Sequence, residues 1–263
     1  MRAPLSWIKD FVEIPSSLTV EEISKGLVRV GFEVEDVIFQ GSDIKGPLSF
    51  AEVLSIEEIT EFKKPIRYVG LDCGEKQTRY VICGATNFKV GDIVLAALPG
   101  AVLPGDFAIA ARETYGKTSN GMICSAKELA LSDDHAGIMV FDKEQVSIKD
   151  DVREKLQIDD VIFDIAVNPD RGYALSIRGV AREIAGAFSL KFSDPVEKLR
   201  GLTFEKTGEG VQPKIEDKNA ASVFYLRTMS KFDPKAATPI WMRRRIEKMG
   251  MRSISLVVDV TNY

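Results

Sequence analysis

At 263 residues, 45% apolar and 28% charged, the chain can bury one large core or several small ones, which excludes disorder and collagen-like architecture. Its formal net charge of -4, from 35 Lys and Arg against 39 Asp and Glu, gives no global basic field, so any contact with nucleic acid has to be local or shared with a partner. No run reaches the ~18 uninterrupted apolar residues of a membrane span. Ile93 to Ala111 comes nearest and is broken by Pro99, Pro104 and Asp106, while Asp10 and Glu13 fall where the apolar core of a signal peptide would lie. A cytoplasmic protein without a membrane or DNA partner is expected.

In chain order, Ser6 is placed to cap a short helix with Trp7, Ile8, Phe11 and Val12 on one face, stopped by Pro15. Thr19-Val20-Glu21-Glu22 is a capping box, Leu18 and Ile23 occupy the staple positions, and Gly31 supplies a left-handed exit. Phe32 to Phe39 reads as a strand. From about Gly41 the period changes to short β-type runs at Ser49 to Ile56, Arg67 to Cys73, Arg79 to Cys83, Ile93 to Leu98 and Phe107 to Ala111, with turn residues between them. Such strands suggest a small closed barrel of OB type. Val161 to Val167 is a further strand, followed by an Asn168-Pro169-Asp170 turn and a helix from about Ala174 to Phe188, so the barrel is expected to be inserted into another domain whose flanking strands pair at its base.

Arg171, Arg178 and Arg182 fall on the polar side of that helix. A polar stretch from about Ser193 to Asn219 reads as a linker. Beyond it, Ser222 to Met229 looks like a strand, Thr238-Pro239 starts a helix that ends at Gly250, and Ile254 to Val260 looks like an apolar strand, the whole reading as part of a domain. In that helix Trp241, Met242 and Ile246 are expected to anchor the packed face, and Arg243, Arg244, Arg245 and Lys248 to lie on a solvated one.

Several chemistries find no complete set of groups. Cys73, Cys83 and Cys124 are odd in number and make no C-x-x-C, so free, mostly buried thiols are expected rather than a disulfide framework or zinc ribbon. His135 is the only histidine, which leaves no multi-histidine metal site, and a hydrolase using Cys124 and His135 lacks a third orienting group. Met229-Ser230-Lys231 and Asp134-His135-Ala136-Gly137 look like class I synthetase signatures, but such a site needs a parallel sheet between the two motifs, whereas a β-barrel and a linker intervene. Gly208-Glu209-Gly210 lacks the following helix, third glycine and lysine of a phosphate loop. No catalytic, metal or cofactor residue is assigned in these residues.

Six motifs stand in one order: Pro4-Leu5-Ser6-Trp7-Ile8-Lys9, Ile82-Cys83-Gly84-Ala85-Thr86-Asn87, Pro99-Gly100-Ala101-Val102-Leu103-Pro104, Ser119-Asn120-Gly121-Met122-Ile123-Cys124-Ser125, Arg178-Gly179-Val180-Ala181-Arg182-Glu183 and Val257-Val258-Asp259-Val260-Thr261-Asn262-Tyr263. On these motifs the chain closely resembles, nearly end to end, the amino-terminal part of the bacterial phenylalanine–tRNA ligase β subunits. The resemblance implies a class II aminoacyl-tRNA synthetase in an α2β2 tetramer, which uses ATP and Mg2+ to attach phenylalanine to tRNA(Phe), with catalysis in the α subunit. The β subunit then supplies scaffold, tRNA contacts and an editing domain that hydrolyses tRNA misacylated with tyrosine.

The implied fold is α+β and multidomain. Residues 1–40 and 150–200 would form a discontinuous first domain, 41–149 the inserted OB-type tRNA-binding barrel, and 205–263 the start of an α/β editing domain. Ser119, Asn120 and Met122 match the barrel signature and, with the basic cluster Lys63, Lys64 and Arg67, are the candidate tRNA-binding residues. Asp259, Thr261 and Asn262 belong to the editing segment, which is expected to be incomplete here, so the isolated chain is expected to be inactive. Asn168-Pro169-Asp170 departs from the family's Asn-Arg-Pro, and Ser255-Leu256 stands where paired asparagines are common. Between 41 and 149, twelve Lys and Arg stand against fifteen Asp and Glu, so weak, salt-sensitive RNA binding is expected. The alternative reading is a free-standing OB-fold tRNA-binding or chaperone module.

Overall fold

A computed structural model describes residues 1–62, 66–132, 136–203, 208 and 210–263. Lys63, Lys64 and His135 lie outside the described residues. In chain order the elements are β1 (Arg2–Pro4), α1 (Leu5–Ile8), α2 (Val20–Arg29), β2 (Glu33–Gln40), β3 (Leu48–Ile59), β4 (Ile66–Asp72), β5 (Arg79–Cys83), β6 (Ile93–Ala97), β7 (Val102–Leu103), β8 (Phe107–Ala108), β9 (Arg112–Thr114), β10 (Lys117–Ser119), β11 (Met122–Ile123), β12 (Val140–Phe141), α3 (Val152–Lys155), β13 (Asp160–Ala166), α4 (Ile177–Phe188), α5 (Ile240–Lys248) and α6 (Leu256–Asn262). None of the described helices is long and apolar enough to cross a membrane.

The architecture is mixed α and β. A base sheet of order β1-β13-β2 is antiparallel throughout, so the strands that flank residues 41–149 do pair, from Asp160 opposite Gln40 to Ala166 opposite Glu33. Helices α1, α2 and α4 cover this sheet through Ile8, Ile23, Leu27, Val180 and Ile184, all buried against Phe163 and Ile165. The capping box of α2 is present, with the Thr19 hydroxyl accepting from the Glu22 amide and the Glu22 carboxylate accepting from the Thr19 amide. Gly26 lets α2 pack closely on α4, because a Cβ there would stand 2.4 Å from the Phe188 ring and displace it. The Ser176 hydroxyl caps α4, which begins at Ile177 because a 3-10 turn over Pro169–Ala174 takes the first residues expected in the helix.

The second sheet has order β5-β4-β3-β6-β11, with β12 also on β6, and forms a nearly closed, barrel-like structure of OB type. Ala51, Val53, Val69, Leu71, Val81, Val94, Ala96 and Ile123 fill one side of it. The other faces of β3 and β6 are covered from outside by Leu129, Leu131, Val146, Leu156 and Ile158, which pack on Phe50, Ile93 and Leu95. This double coverage explains why β6 is buried along its whole length. The expected strand from Phe107 to Ala111 is shortened to Phe107–Ala108, paired with Val102–Leu103.

The carboxy-terminal stretch departs most from expectation. Residues 222–229 are exposed and form no strand, because no neighbouring strand offers backbone partners there. Residues 256–262 form a helix rather than a strand. Asp259 is buried at its centre and accepts hydrogen bonds from the Thr238 and Ser253 hydroxyls and from the Ile254 amide at 3.0 Å, which folds the segment back on itself. Burial raises the Asp259 pKa, but these hydrogen bonds and the charge of Arg243 outweigh it and hold the carboxyl below its ordinary range. Thr238 is thus spent on Asp259 and does not cap α5, whose first amide, Ile240 N–H, donates to Gln145 Oε1 at 3.1 Å.

Helix α5 buries Ile246, as expected, but leaves Trp241 exposed and buries two of the cations expected in solvent. Lys248 and Arg244 are buried, each 2% exposed, whereas Trp241 is 44% exposed. Lys248 Nζ donates to Asp160 Oδ2 at 2.6 Å, and the same carboxylate accepts from the Ser6 hydroxyl at 2.5 Å and the Ser6 amide at 3.0 Å. Ser6 is therefore not a helix cap; the residue preceding α1 is Pro4, which has no side-chain acceptor, and Asp160 accepts from the Ser6 amide instead. Arg244 donates to the Leu156 carbonyl at 2.9 Å and the Leu131 carbonyl at 3.2 Å and pairs with Glu247. Arg245 pairs with Asp10 and lies over the Trp7 and Trp241 rings. Burial pushes the pKa of Lys248 and of Arg244 below their ordinary values, against the opposing pull of Asp160 and Glu247 respectively.

The mutational ranking follows from this geometry. Lys248→Ala leaves a buried Asp160 carboxylate without its counter-charge and is expected to cost about 3–5 kcal/mol. Trp241→Ala removes mainly an edge contact with Tyr263, worth about 0.5–1.5 kcal/mol. Urea denaturation of the two variants checks this order, which is the reverse of the one the sequence suggests.

Candidate nucleic-acid interface

The barrel is closed by side chains and backbone from one short stretch. Asn120 N–H donates to the Tyr80 carbonyl at 2.8 Å, and Ser119 Oγ accepts from Ile82 N–H at 3.0 Å while donating to the Gly121 carbonyl at 3.0 Å. Arg79, held by Glu75 at 2.7 Å, donates to the Asn120 carbonyl at 3.0 Å. Gly121 has φ +135, and a Cβ there would lie 2.7 Å from the Ala97 carbonyl, so only glycine fits this seam. Ser119 and Asn120, singled out in the sequence as candidate RNA contacts, thus join β10 and the start of β11 to β5.

The candidate binding surface lies beside the seam. On the outward face of β4 and β5 the rings of Tyr68 and Tyr80 stack at 5.1 Å with an interplanar angle of 18°. Lys117 Nζ stands 4.9 Å from the Tyr68 ring centroid and pairs with Glu57 at 3.0 Å. The Tyr80 ring also lies across Gly70, within 3.3 Å of where a Cβ would be, so part of its role is to cover a bare strand position. Next to the stack is a groove of about 220 Å³ lined by Ile82, Phe107, Arg112, Ser119 and Met122. Phe107 is 45% exposed with Arg112 over its ring, and Phe62 meets Tyr115 edge-on at 4.6 Å. Aromatic faces interleaved with cations, on the second and third barrel strands and the loops beside them, are suited to stacking unpaired bases.

The remaining sequence candidates are placed differently. Arg67 turns onto Phe88, 5.2 Å from its ring, bonding Glu58 at 2.8 Å and the Phe88 carbonyl at 3.1 Å. Met122 is half-buried in the groove. Asp259 is enclosed by its own segment, Thr261 donates to the Val258 carbonyl, and Asn262 is exposed at the end of α6. Burial in the barrel pushes the Cys124 thiol up to about 12, which leaves it un-ionised and a poor nucleophile at neutral pH. Sequence reasoning missed Tyr68 and Tyr80; their alternation with Val69 and Val81 was the available signal, since it turns both tyrosines outward on adjacent strands.

Residues 48–148 match the family model described as "Putative tRNA binding domain", and residues 220–263 match the "B3/4 domain" model. Over 100% of its length the chain is 48% identical to the phenylalanine–tRNA ligase beta subunit of Thermobifida fusca and 47% identical to that of Streptomyces avermitilis, covering 32% of each. The chain is a relative of the amino-terminal part of phenylalanine–tRNA ligase beta subunits. A third such beta subunit, from Mycolicibacterium paratuberculosis, is 45% identical, again over all of this chain and 32% of its own length. The chain thus spans about a third of the curated relatives it matches.

The seam makes a specific demand on stability. Ser119→Ala strips the acceptor from the Ile82 amide and is expected to cost about 1–3 kcal/mol, the penalty of an unsatisfied buried donor. Thermal melting of the variant, followed by circular dichroism, measures it.

Proposed function

We propose that this chain is the scaffolding and tRNA-contacting part of a phenylalanine–tRNA ligase β subunit, supporting attachment of phenylalanine to tRNA(Phe) by an α2β2 enzyme. In this reading residues 1–40 with 150–200 are one domain, 41–149 the inserted barrel, and 205–263 part of an editing domain. The α subunit carries the active site, and the ATP and Mg2+ of the reaction belong there. Among the described residues no group of three His, Cys, Asp or Glu side chains is arranged to hold a metal ion. The setting is cytoplasmic.

What supports RNA contact by the barrel is the outward-facing stack of half-buried Tyr68 on exposed Tyr80, flanked by Lys117. Its nearby cations are largely engaged, Lys117 by Glu57, Arg79 by Glu75 and Arg67 by Glu58, so stacking contributes more here than phosphate neutralisation. A free-standing barrel module is less well supported, because the match to the beta subunits runs through residues 1–47 and 149–219 as well, outside both family models. Tyr68→Ala and Tyr80→Ala are each expected to weaken tRNA binding by about 1–3 kcal/mol, the usual value of one base stack. Filter binding at low salt tests this; wild-type affinity in both variants would remove the barrel face from the RNA contact.

A further inference from the structure

A second surface lies away from the barrel face. A cleft of about 1080 Å³ opens between the base sheet, the stretch around Lys127 to Ser132, helix α5 and the loop after it. It exceeds the ~300–1,000 Å³ that encloses a drug-sized ligand, so its dimensions suit a length of polymer. Ile38 and Ile162 contribute to its lining from β2 and β13. Arg2, Lys127, Arg243 and Arg252 reach it from four separate parts of a chain whose overall charge is -4.

Among the described lining residues the one carboxylate is Glu247, which is already bonded to Arg244 and, at 2.9 Å, to Arg243. Arg2 makes only a long contact, 3.4 Å, with Asp164, and Lys248 is committed to Asp160. Gln40, in the same lining, keeps a buried Oε1 without a hydrogen-bond partner. An excess of one sign of charge along a cleft focuses its field and concentrates a polyanion. Guanidinium groups match phosphate oxygens in a two-pronged geometry, and a carboxamide oxygen accepts from a ribose 2′-hydroxyl, which a protein carboxylate partner would not offer.

We propose that this cleft binds the phosphodiester backbone of an RNA strand, with Arg2, Lys127, Arg243 and Arg252 on phosphates and Gln40 on a ribose hydroxyl. The inference takes RNA as the polyanion from the proposed function but uses no residue of the barrel face. Phosphate contact and base stacking are physically separable, because only the first releases counterions and sets the salt dependence of binding.

The test measures fluorescence anisotropy of a labelled tRNA transcript with the 263-residue chain, its Lys127→Glu/Arg252→Glu variant and its Tyr68→Ala/Tyr80→Ala variant, between about 50 and 200 mM salt. Both cleft substitutions are at exposed positions, and unchanged thermal melting establishes that the fold is kept. The cleft variant is expected to bind about tenfold more weakly at the lowest salt, with a salt slope shallower by about 1.5 to 2, as for two lost phosphate contacts. The tyrosine variant is expected to keep the wild-type slope. Wild-type affinity and slope in the cleft variant would overturn the cleft while leaving the barrel reading intact. Weakening in the cleft variant alone would sustain the cleft and remove the barrel face. Absence of tRNA binding by the wild-type chain would overturn both, and polyglutamate competing as well as RNA would overturn RNA in favour of an acidic protein segment.

Discussion

The arrangement of the molecule depends on how the cations of α5 are accommodated. A lysine and an arginine removed from water cost several kcal/mol each unless charge and hydrogen bonds are supplied at the site. Asp160 supplies them for Lys248; the carbonyls of Leu131 and Leu156, with Glu247, supply them for Arg244. Asp160 belongs to the base sheet and Leu131 and Leu156 to the outer cover of the barrel, whereas Glu247 lies in α5 itself. Since Gln145 also holds the first amide of α5, one nine-residue helix spans from the barrel cover to the base sheet. Removing any single acceptor leaves a buried charge short of partners, so the helix specifies one arrangement of the two sheets.

This geometry explains which parts of the structure are legible in the sequence. The capping box of α2, the strands at the base of the insertion and the first four strands of the barrel are local or nearly periodic features, and each is found close to where the sequence places it. Helix α5 was legible as an element and in the burial of Ile246, but not in the exposure of Trp241 or the burial of Arg244 and Lys248. Arg244 reads as solvated because two of its acceptors are main-chain carbonyls about 90 to 110 residues away, which no side-chain pattern announces. Leu256 to Val260 is a short apolar run of the kind that periodicity alone cannot assign to helix or strand. The deciding interaction, Asp259 with Thr238 and Ser253, is again tertiary.

The candidate interface shows the same division. The Ser119–Asn120–Gly121 signature is visible in sequence as a motif, yet in the fold its polar atoms are occupied in closing the barrel. A motif can therefore sit beside a binding surface because it builds that surface. Tyr68 and Tyr80 carry exposed ring area at low entropic cost and become recognisable as a pair once β4 and β5 are in register, with Gly70 opposite Tyr80. The basic residues of the cleft are still more scattered in sequence, from Arg2 to Arg252, and only the docking of α5 on the base sheet brings them together.

Native-state hydrogen exchange read residue by residue tests most directly whether α5 joins the two sheets. If it does, the amides of Arg244 to Lys248 open only with β13 and with β3 and β6 of the barrel, and all share one exchange free energy. Exchange of α5 through a separate, lower-energy opening while β13 stays protected would contradict the account, because the buried cations would then be dispensable to the arrangement of the sheets.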